Sequence, residues 1–195
     1  LGRVGLGRGK GGYTLESVAW LDAAGMVVPV YDGSRKMLTD SFHPLALSDL
    51  SRPALPSLLT LRFLTPTRLK YENRIAGDCE FHVFFRSLVR RIALLDYFHC
   101  GGEFLPQRRE FVERARAIET VVSDLRWIDW ERYSNRQQTR MRLGGFVGQV
   151  TYRGDCTEFL PYLLLGTYTH VGKNATFGLG EYRIEGIAGA EELSR

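Results

Sequence analysis

The sequence predicts an α+β fold with helices on one face of an antiparallel sheet, and three observations predict it. Alternating apolar runs at Leu58 to Leu64, Arg126 to Tyr133, Phe146 to Tyr152 and Phe177 to Ile184 read as strands. Helical spacing appears between the first two of these runs and again, over Thr157 to Leu165, between the last two. The resulting order, βα(α)ββαβ, is that of a ferredoxin-like domain, whose uncovered sheet face is the surface that RNA-recognition domains use.

Each element has its own grounds. Leu58 to Leu64 is apolar at alternate positions and is expected to stop near Thr65-Pro66, since proline donates nothing to a ladder. Glu80 to Tyr97 follows as a helix, with Phe81, Phe84, Phe85, Leu88, Ile92 and Leu95 on one stripe and Arg86, Arg90 and Arg91 off it. Phe111 to Ser123 gives a further helical stretch, Arg126 to Tyr133 is a strand carrying Trp127 and Trp130, and a basic turn joins it to the strand Phe146 to Tyr152. Upstream, Tyr13 to Val18 and Met26 to Tyr31 pair as two strands, and Ser41 to Pro56, with three prolines, is a linker. The expected organisation is therefore residues 1–40 as the remnant of a first ferredoxin-like domain, 41–57 as linker, and 58–195 as a second such domain.

Composition narrows the function. The chain has 195 residues and 44% hydrophobic content, ample for a core. The net charge of +4 is small, but the basic residues are clustered, which gives them a partner-binding meaning. Cys79, Cys100 and Cys156 are odd in number and lack ligand spacing, so neither a disulfide framework nor a zinc site is expected. A reducing cytoplasm is the expected compartment. No run approaches the length of a membrane span.

Three stretches carry chemistry. From Leu163 to Ile184 an apolar segment ends at Gly166, a short link leads to His170, and Gly172 and Gly178-Leu179-Gly180 bracket a loop with Lys173, Asn174 and Thr176. Such a loop can turn successive N–H groups towards an anion, and its lysine and lack of carboxylates suit a phosphate. The second stretch holds Arg132, Arg136, Arg140 and Arg142 with Tyr133, Asn135, Gln137 and Gln138 between them. Guanidinium forks, rings and amides in this mixture suit single-stranded or looped RNA, against the plainer reading of a solvated hairpin. The third is the opening, where six glycines alternate with Arg3, Arg8 and Lys10. Gly7, Gly9 and Gly12 satisfy the dinucleotide-binding spacing, with Asp32 about 20 residues on, yet a strand rather than a helix follows. A basic loop, in phosphate contact or merely solvated, remains.

Three runs in order, Leu61-Arg62-Phe63-Leu64-Thr65-Pro66-Thr67-Arg68-Leu69-Lys70, Trp127 to Gln137, and His170-Val171-Gly172-Lys173 through Phe177-Gly178-Leu179-Gly180, resemble the CRISPR repeat-processing endoribonucleases of the RAMP (repeat-associated mysterious protein) superfamily. The last run matches that superfamily's glycine-rich loop. Gly5 to Val18 resembles the end of the family's first domain, which implies that most of that domain lies upstream of Leu1; in many members a catalytic histidine sits there.

The resemblance implies a metal-independent endoribonuclease that cuts precursor CRISPR RNA in its repeats, leaving a 2′,3′-cyclic phosphate and a 5′-hydroxyl. The acidic residues are scattered rather than gathered for a metal, and no cofactor is expected. His170 is the candidate acid or base, and Lys173, with the N–H groups of Gly172 and Asn174, the candidate phosphate holder. The plainer reading has His170 shaping the loop. RNA contact is expected from Gly172, Asn174, Thr176, Gly178, Gly180, Arg132, Tyr133, Arg136, Gln137, Arg140, Arg142, Arg3, Arg8 and Lys10. His43, His82 and His99 are weaker candidates. Expected partners are repeat RNA and an interference complex, with a homodimer left open and no membrane. The alternative is a RAMP subunit, or an RNA-holding fragment, that holds guide RNA without cutting it.

Overall fold

The computed structural model describes residues 9–22, 26–40, 42–43, 46, 49, 57–72, 74–103, 108–134 and 138–186. The chain divides into two compact units, a smaller one within residues 1–51 and a larger one within 52–191. In the smaller unit β1 (Ser17–Leu21), β2 (Val27–Asp32) and β3 (Met37–Leu38) form an antiparallel sheet in that order. The first strand therefore begins later than Tyr13. Asp32 ends β2 as a turn residue: its Oδ1 accepts from the Ser34 N–H and hydroxyl, at 2.9 and 2.6 Å, and these bonds hold its carboxyl below the usual carboxylate range.

The larger unit runs β4 (Leu58–Thr67), the short pair β5 (Lys70–Tyr71) and β6 (Arg74–Ile75), α1 (Phe81–Leu95), α2 (Arg108–Arg114), β7 (Glu119–Ile128), β8 (Glu131–Ser134), β9 (Thr139–Arg142), β10 (Gly145–Arg153), α3 (Leu160–Thr169) and β11 (Tyr182–Ile184). Its main sheet has the order β11-β4-β10-β7 with every pair antiparallel. Counting only those four strands, the order is 4-1-3-2, the expected ferredoxin-like sheet.

Aromatic packing fixes the covered face. Phe63 and Tyr182 from the sheet meet Phe84 of α1, with Phe84 edge-on to Tyr182 at 5.2 Å, and Phe63 is edge-on to its sheet neighbour Phe146 at 5.0 Å. Such pairs add about 0.5–1.5 kcal/mol each beyond the area they bury. Two buried hydroxyls tie the layers: Tyr152 donates to the Cys79 carbonyl at 2.6 Å and Tyr182 to the Leu163 carbonyl at 2.7 Å. Burial pushes the Cys79 thiol up to about 12 and the Cys156 thiol to about 11, so both are inert packing groups. Alternate residues face the other way, and Arg62, Gln149 and Arg183 stand side by side across three strands.

Several element boundaries depart from expectation. β4 continues through Pro66, because the β4–β10 register shifts between Phe146 and Gly148 and a proline is tolerated at such an irregularity. The helix expected over Phe111 to Ser123 ends at Arg114, and after a tight turn the chain becomes β7. There Thr120, Val121 and Val122 belong to a strand paired with β10, and β-branched side chains fit a pleated surface better than a helix. The strand expected over Arg126 to Tyr133 is two strands, broken at Asp129-Trp130, where the Trp127 Nε1–H donates to Asp129 Oδ1 at 2.9 Å. What reads as a basic turn is the antiparallel hairpin β8–β9. The closing strand spans Tyr182–Ile184 alone, since Gly178 and Gly180 take φ of 80° and 77° and interrupt extension.

One feature of the helix layer positions the site. α1 and α3 run in the same direction, Phe81 lying 5.3 Å from Phe159 at one end and Arg91 Nε donating to the Thr169 carbonyl at the other. Both helices thus finish beside the loop that follows α3. The arginine also satisfies a carbonyl at the end of α3 that has no partner within the helix.

Candidate nucleic-acid interface

The glycine-rich loop is closed by backbone bonds. The Val171 N–H donates to the Gly180 carbonyl at 2.9 Å, and the Lys173 N–H donates to the Arg68 carbonyl at 2.9 Å. Thr65 of β4 fastens the far side, its Oγ1 donating to the Gly178 carbonyl at 3.2 Å and accepting from the Glu181 N–H at 2.9 Å. Gly172, at φ 84°, brings its Cα so near the chain that a Cβ would stand 2.6 Å from the Arg68 carbonyl oxygen. At Gly180, φ 77°, a Cβ would overlap the Val171 carbonyl. Glycine is required at both places for closeness and conformation together.

These closures use the N–H groups of Val171, Lys173 and Glu181, while those of Phe177 and Gly178 donate to the Asn174 and Ala175 carbonyls within the loop; those of Gly172 and Asn174 are not among them. Asn174 sits in the left-handed region at φ 66°, where asparagine is tolerated. The Lys173 and Thr176 side chains are exposed.

His170 is the unusual residue. It follows the last turn of α3 with φ 60° and ψ 177°, a region that is essentially glycine's own, and its N–H donates to the Gly166 carbonyl at 2.8 Å. Its Nδ1 is buried without a hydrogen-bond partner, and among the described residues the only other such side-chain atom is Arg68 Nε. Buried polar atoms are ordinarily paired, and the two exceptions both belong to residues of this loop and its support.

The hairpin β8–β9 supplies the second part. The Arg132 guanidinium lies 5.5 Å from the centroid of Phe177, the ring of the glycine loop, and Arg68 Nη1 donates to the Arg142 carbonyl at 2.9 Å. The Tyr133 hydroxyl donates to Gln138 Oε1 at 2.9 Å. Arg140 and Arg142 each lie 3.7 Å from Glu131, which offsets part of their charge, while Arg132 faces the loop. The two basic stretches read separately in the sequence therefore adjoin.

Not every predicted residue joins them. Arg136 and Gln137 lie outside the described residues, as do Arg3 and Arg8; Lys10 is exposed in the smaller unit with φ 48°. His82 is buried against α1's surroundings, with Nδ1 3.3 Å from Glu80 and Nε2 3.4 Å from Arg116. Burial, and then the Arg116 charge, lower its pKa against the opposing pull of Glu80 and Glu113. Among the described residues no group of three or more His, Cys, Asp or Glu is placed to hold a metal ion, and no helix is long and apolar enough to cross a membrane. Sequence reasoning missed Thr65 and Arg68 as parts of the site. Both lay within the quoted run Leu61 to Lys70, and the signal was the polar insertion into an otherwise apolar strand end.

A ferredoxin-like sheet whose glycine-rich loop adjoins a basic hairpin belongs to a class of folds whose exposed surfaces suit nucleic acid. Residues 61–182 match the family of the CRISPR-associated endoribonuclease Cas6, and this chain belongs to that family. Among solved structures, the Cas6 (TTHA0078) product complex is 26% identical with a TM-score of 0.43, over 67% of this chain and 52% of that one. Thermus thermophilus Cas6 (TTHB231) is 20% identical with a TM-score of 0.49, over 66% and 53%. The partial Cas6-RT-Cas1--Cas2 complex is 18% identical with a TM-score of 0.50, over 77% of this chain and 28% of that chain, and agrees in fold. This chain thus spans about half the length of the separate Cas6 chains it matches. No curated protein sequence matches it.

Proposed function

We propose that this chain binds CRISPR repeat RNA in precursor transcripts and takes part in its metal-independent cleavage, with residues 58–195 as the second of two ferredoxin-like domains, 1–40 as part of the first, and 41–57 as the linker. The observation that carries the reading is the approach of Arg132 to Phe177, which sets an arginine hairpin beside the glycine loop. Family membership supplies the substrate class. In this reading the RNA 2′-hydroxyl gives up its proton and its oxygen attacks the adjacent phosphorus, the P–O5′ bond breaks, and the leaving O5′ takes a proton, giving a 2′,3′-cyclic phosphate and a 5′-hydroxyl. His170 exchanges protons at that phosphate, and Lys173 with the N–H groups of Gly172 and Asn174 stabilises the added negative charge. Arg132, Tyr133, Arg136, Gln137, Arg140 and Arg142 hold the RNA, joined at the loop by Thr176, Gly178 and Gly180; Arg3, Arg8 and Lys10 add phosphate contacts from the first domain. The product is handed to an interference complex in the cytoplasm.

A second reading rests on the burial of His170 Nδ1. There His170 shapes the loop, and the proton transfers belong to another part of the whole protein. A gel assay of this chain and its His170→Ala variant with cognate repeat RNA in EDTA decides between them. Cutting by the parent, with binding but no cutting by the variant, supports the first. Binding without cutting by both supports the second, and the absence of RNA binding refutes the proposed function.

A further inference from the structure

Beside the glycine loop lies a cleft of about 490 Å³ that shares Gly172 and Lys173 with the loop and extends along α1, past residues the sequence motifs did not mark, to the weaker candidate His99. Its volume falls in the range of roughly 300–1,000 Å³ typical of small-ligand sites. Arg68, Lys70, Arg90, Arg91 and Lys173 line it, and no carboxylate does. Arg91 is held at the Thr169 carbonyl, and Arg68 through one nitrogen at Arg142, but among the described residues none of the five is ion-paired. Cations assembled without counter-charges repel one another, and an anion relieves that repulsion.

The cleft has a second chemistry. Leu94, Leu95 and Phe98, from the same helical stretch as Arg90 and Arg91, add an apolar surface to its lining. Phe98 is 68% exposed, its ring edge-on to Tyr97 at 5.1 Å and otherwise accessible to a ligand in the cleft. It stands there because the chain after α1 widens into a π-type turn, Asp96–Cys100, before Gly101 ends it at φ 76°. π-type turns are rare and recur at functional sites. A buried, unpartnered Arg68 Nε adds a donor with no assigned acceptor.

We propose that this cleft binds one unpaired nucleotide of an RNA strand, its phosphate on the rim of Lys70 and Arg90 and its base against Phe98 and Leu94. This rests on the reading of the chain as an RNA binder and extends it: Gly172 and Lys173 line the cleft and belong to the glycine loop, so the nucleotide held here adjoins the phosphate held there. A base in a duplex is stacked and paired and cannot lie on that apolar surface. The site therefore selects a single-stranded segment next to the loop, through backbone charge and ring stacking rather than base-edge hydrogen bonds.

The test uses the 195-residue chain and a fluorescein-labelled 12-nucleotide oligouridylate, with anisotropy measured across a salt series. Phe98→Leu is expected to weaken binding roughly 5- to 100-fold, the contribution of one stacked base, with the salt slope unchanged, and Phe98→Tyr to restore it. The double variant Lys70→Ala/Arg90→Ala is expected to lower the log–log salt slope by about 0.7, the share of the one phosphate contact it removes from a single strand. All three positions are exposed, and circular dichroism confirms that each variant folds. If the parent binds the oligonucleotide and neither Phe98→Leu nor the double variant changes affinity or slope, the cleft proposal is overturned while RNA binding stands. If the parent does not bind it but binds a cognate repeat RNA, selection of single strands by the cleft is overturned; binding of neither overturns both readings.

Discussion

The backbone at His170 makes a quantitative prediction. Its φ of 60° with ψ of 177° is a conformation that glycine adopts freely and that costs other residues roughly 1–3 kcal/mol. Replacing it by glycine removes that strain but loosens the unfolded chain, at a cost of about 0.4–1 kcal/mol. Removing the imidazole also removes an unsatisfied buried nitrogen and some packing, effects that His170→Ala shares. The difference between the two variants therefore isolates the backbone, and His170→Gly should be about 1–2 kcal/mol more stable than His170→Ala. Urea unfolding followed at 222 nm is the appropriate assay, because every described helix lies in the unit that carries the loop. With a slope of about 2 kcal/mol per molar, the middle of the usual urea range, the expected shift in midpoint is roughly 0.5–1 M. A glycine variant no more stable than the alanine variant would refute the claim that the chain is held in strain at this residue.

Two further outcomes test the structure. Gly180→Ala places a Cβ against the Val171 carbonyl at φ 77°, so it should open the Val171–Gly180 closure and lower stability by about 2 kcal/mol or more in the same urea assay, with RNA affinity falling too. His82 binds its proton less readily when folded than when unfolded, so between its ordinary pKa of 6.5 and its lower folded value the unfolded state carries more protons. Stability should accordingly be full above pH 6.5 and fall as pH drops below it; His82→Gln should flatten that part of the pH–stability curve, which thermal melts from pH 5 to 7.5 would record.

Legibility in the sequence followed the kind of interaction involved. Strand and helix order came through because the aromatic residues of α1, Phe81, Phe84 and Phe85, recur at helical spacing and meet one core. The β7 boundary did not, because Ile118 to Val122 fits either period and only pairing with β10 decides it. The glycine loop was readable as a motif, and its interior bonding was not: Thr65 and Arg68 reach it from more than 100 residues away in sequence. The hairpin β8–β9 was read as a charge cluster, while its nearness to Phe177 is a tertiary fact. Arg90 and Arg91 were read only as lying off the apolar stripe. Whether such arginines are merely solvated or line a cleft depends on what shares the space beside them, and here it is Lys70 and Lys173.

The parallel course of α1 and α3 explains why so much converges. The chain leaving β4 at Arg68 passes along α1 before entering it, as the Arg86 guanidinium 5.3 Å from the Tyr71 ring shows. It then returns within α1 towards the end of the sheet it left, and Arg91 meets the end of α3 there. The C-terminal ends of two helices carry partial negative charge, which favours cations nearby and disfavours an anion. A phosphate site at this end therefore needs cations in excess of those that answer the helix ends. Arg91 answers α3 directly, leaving Lys70, Arg90 and Lys173 to face the cleft, and the glycine loop can turn its N–H groups to the same side. The arginines and lysines around the loop therefore offset the helix ends first, and the proposed phosphate would need the cations in excess of those.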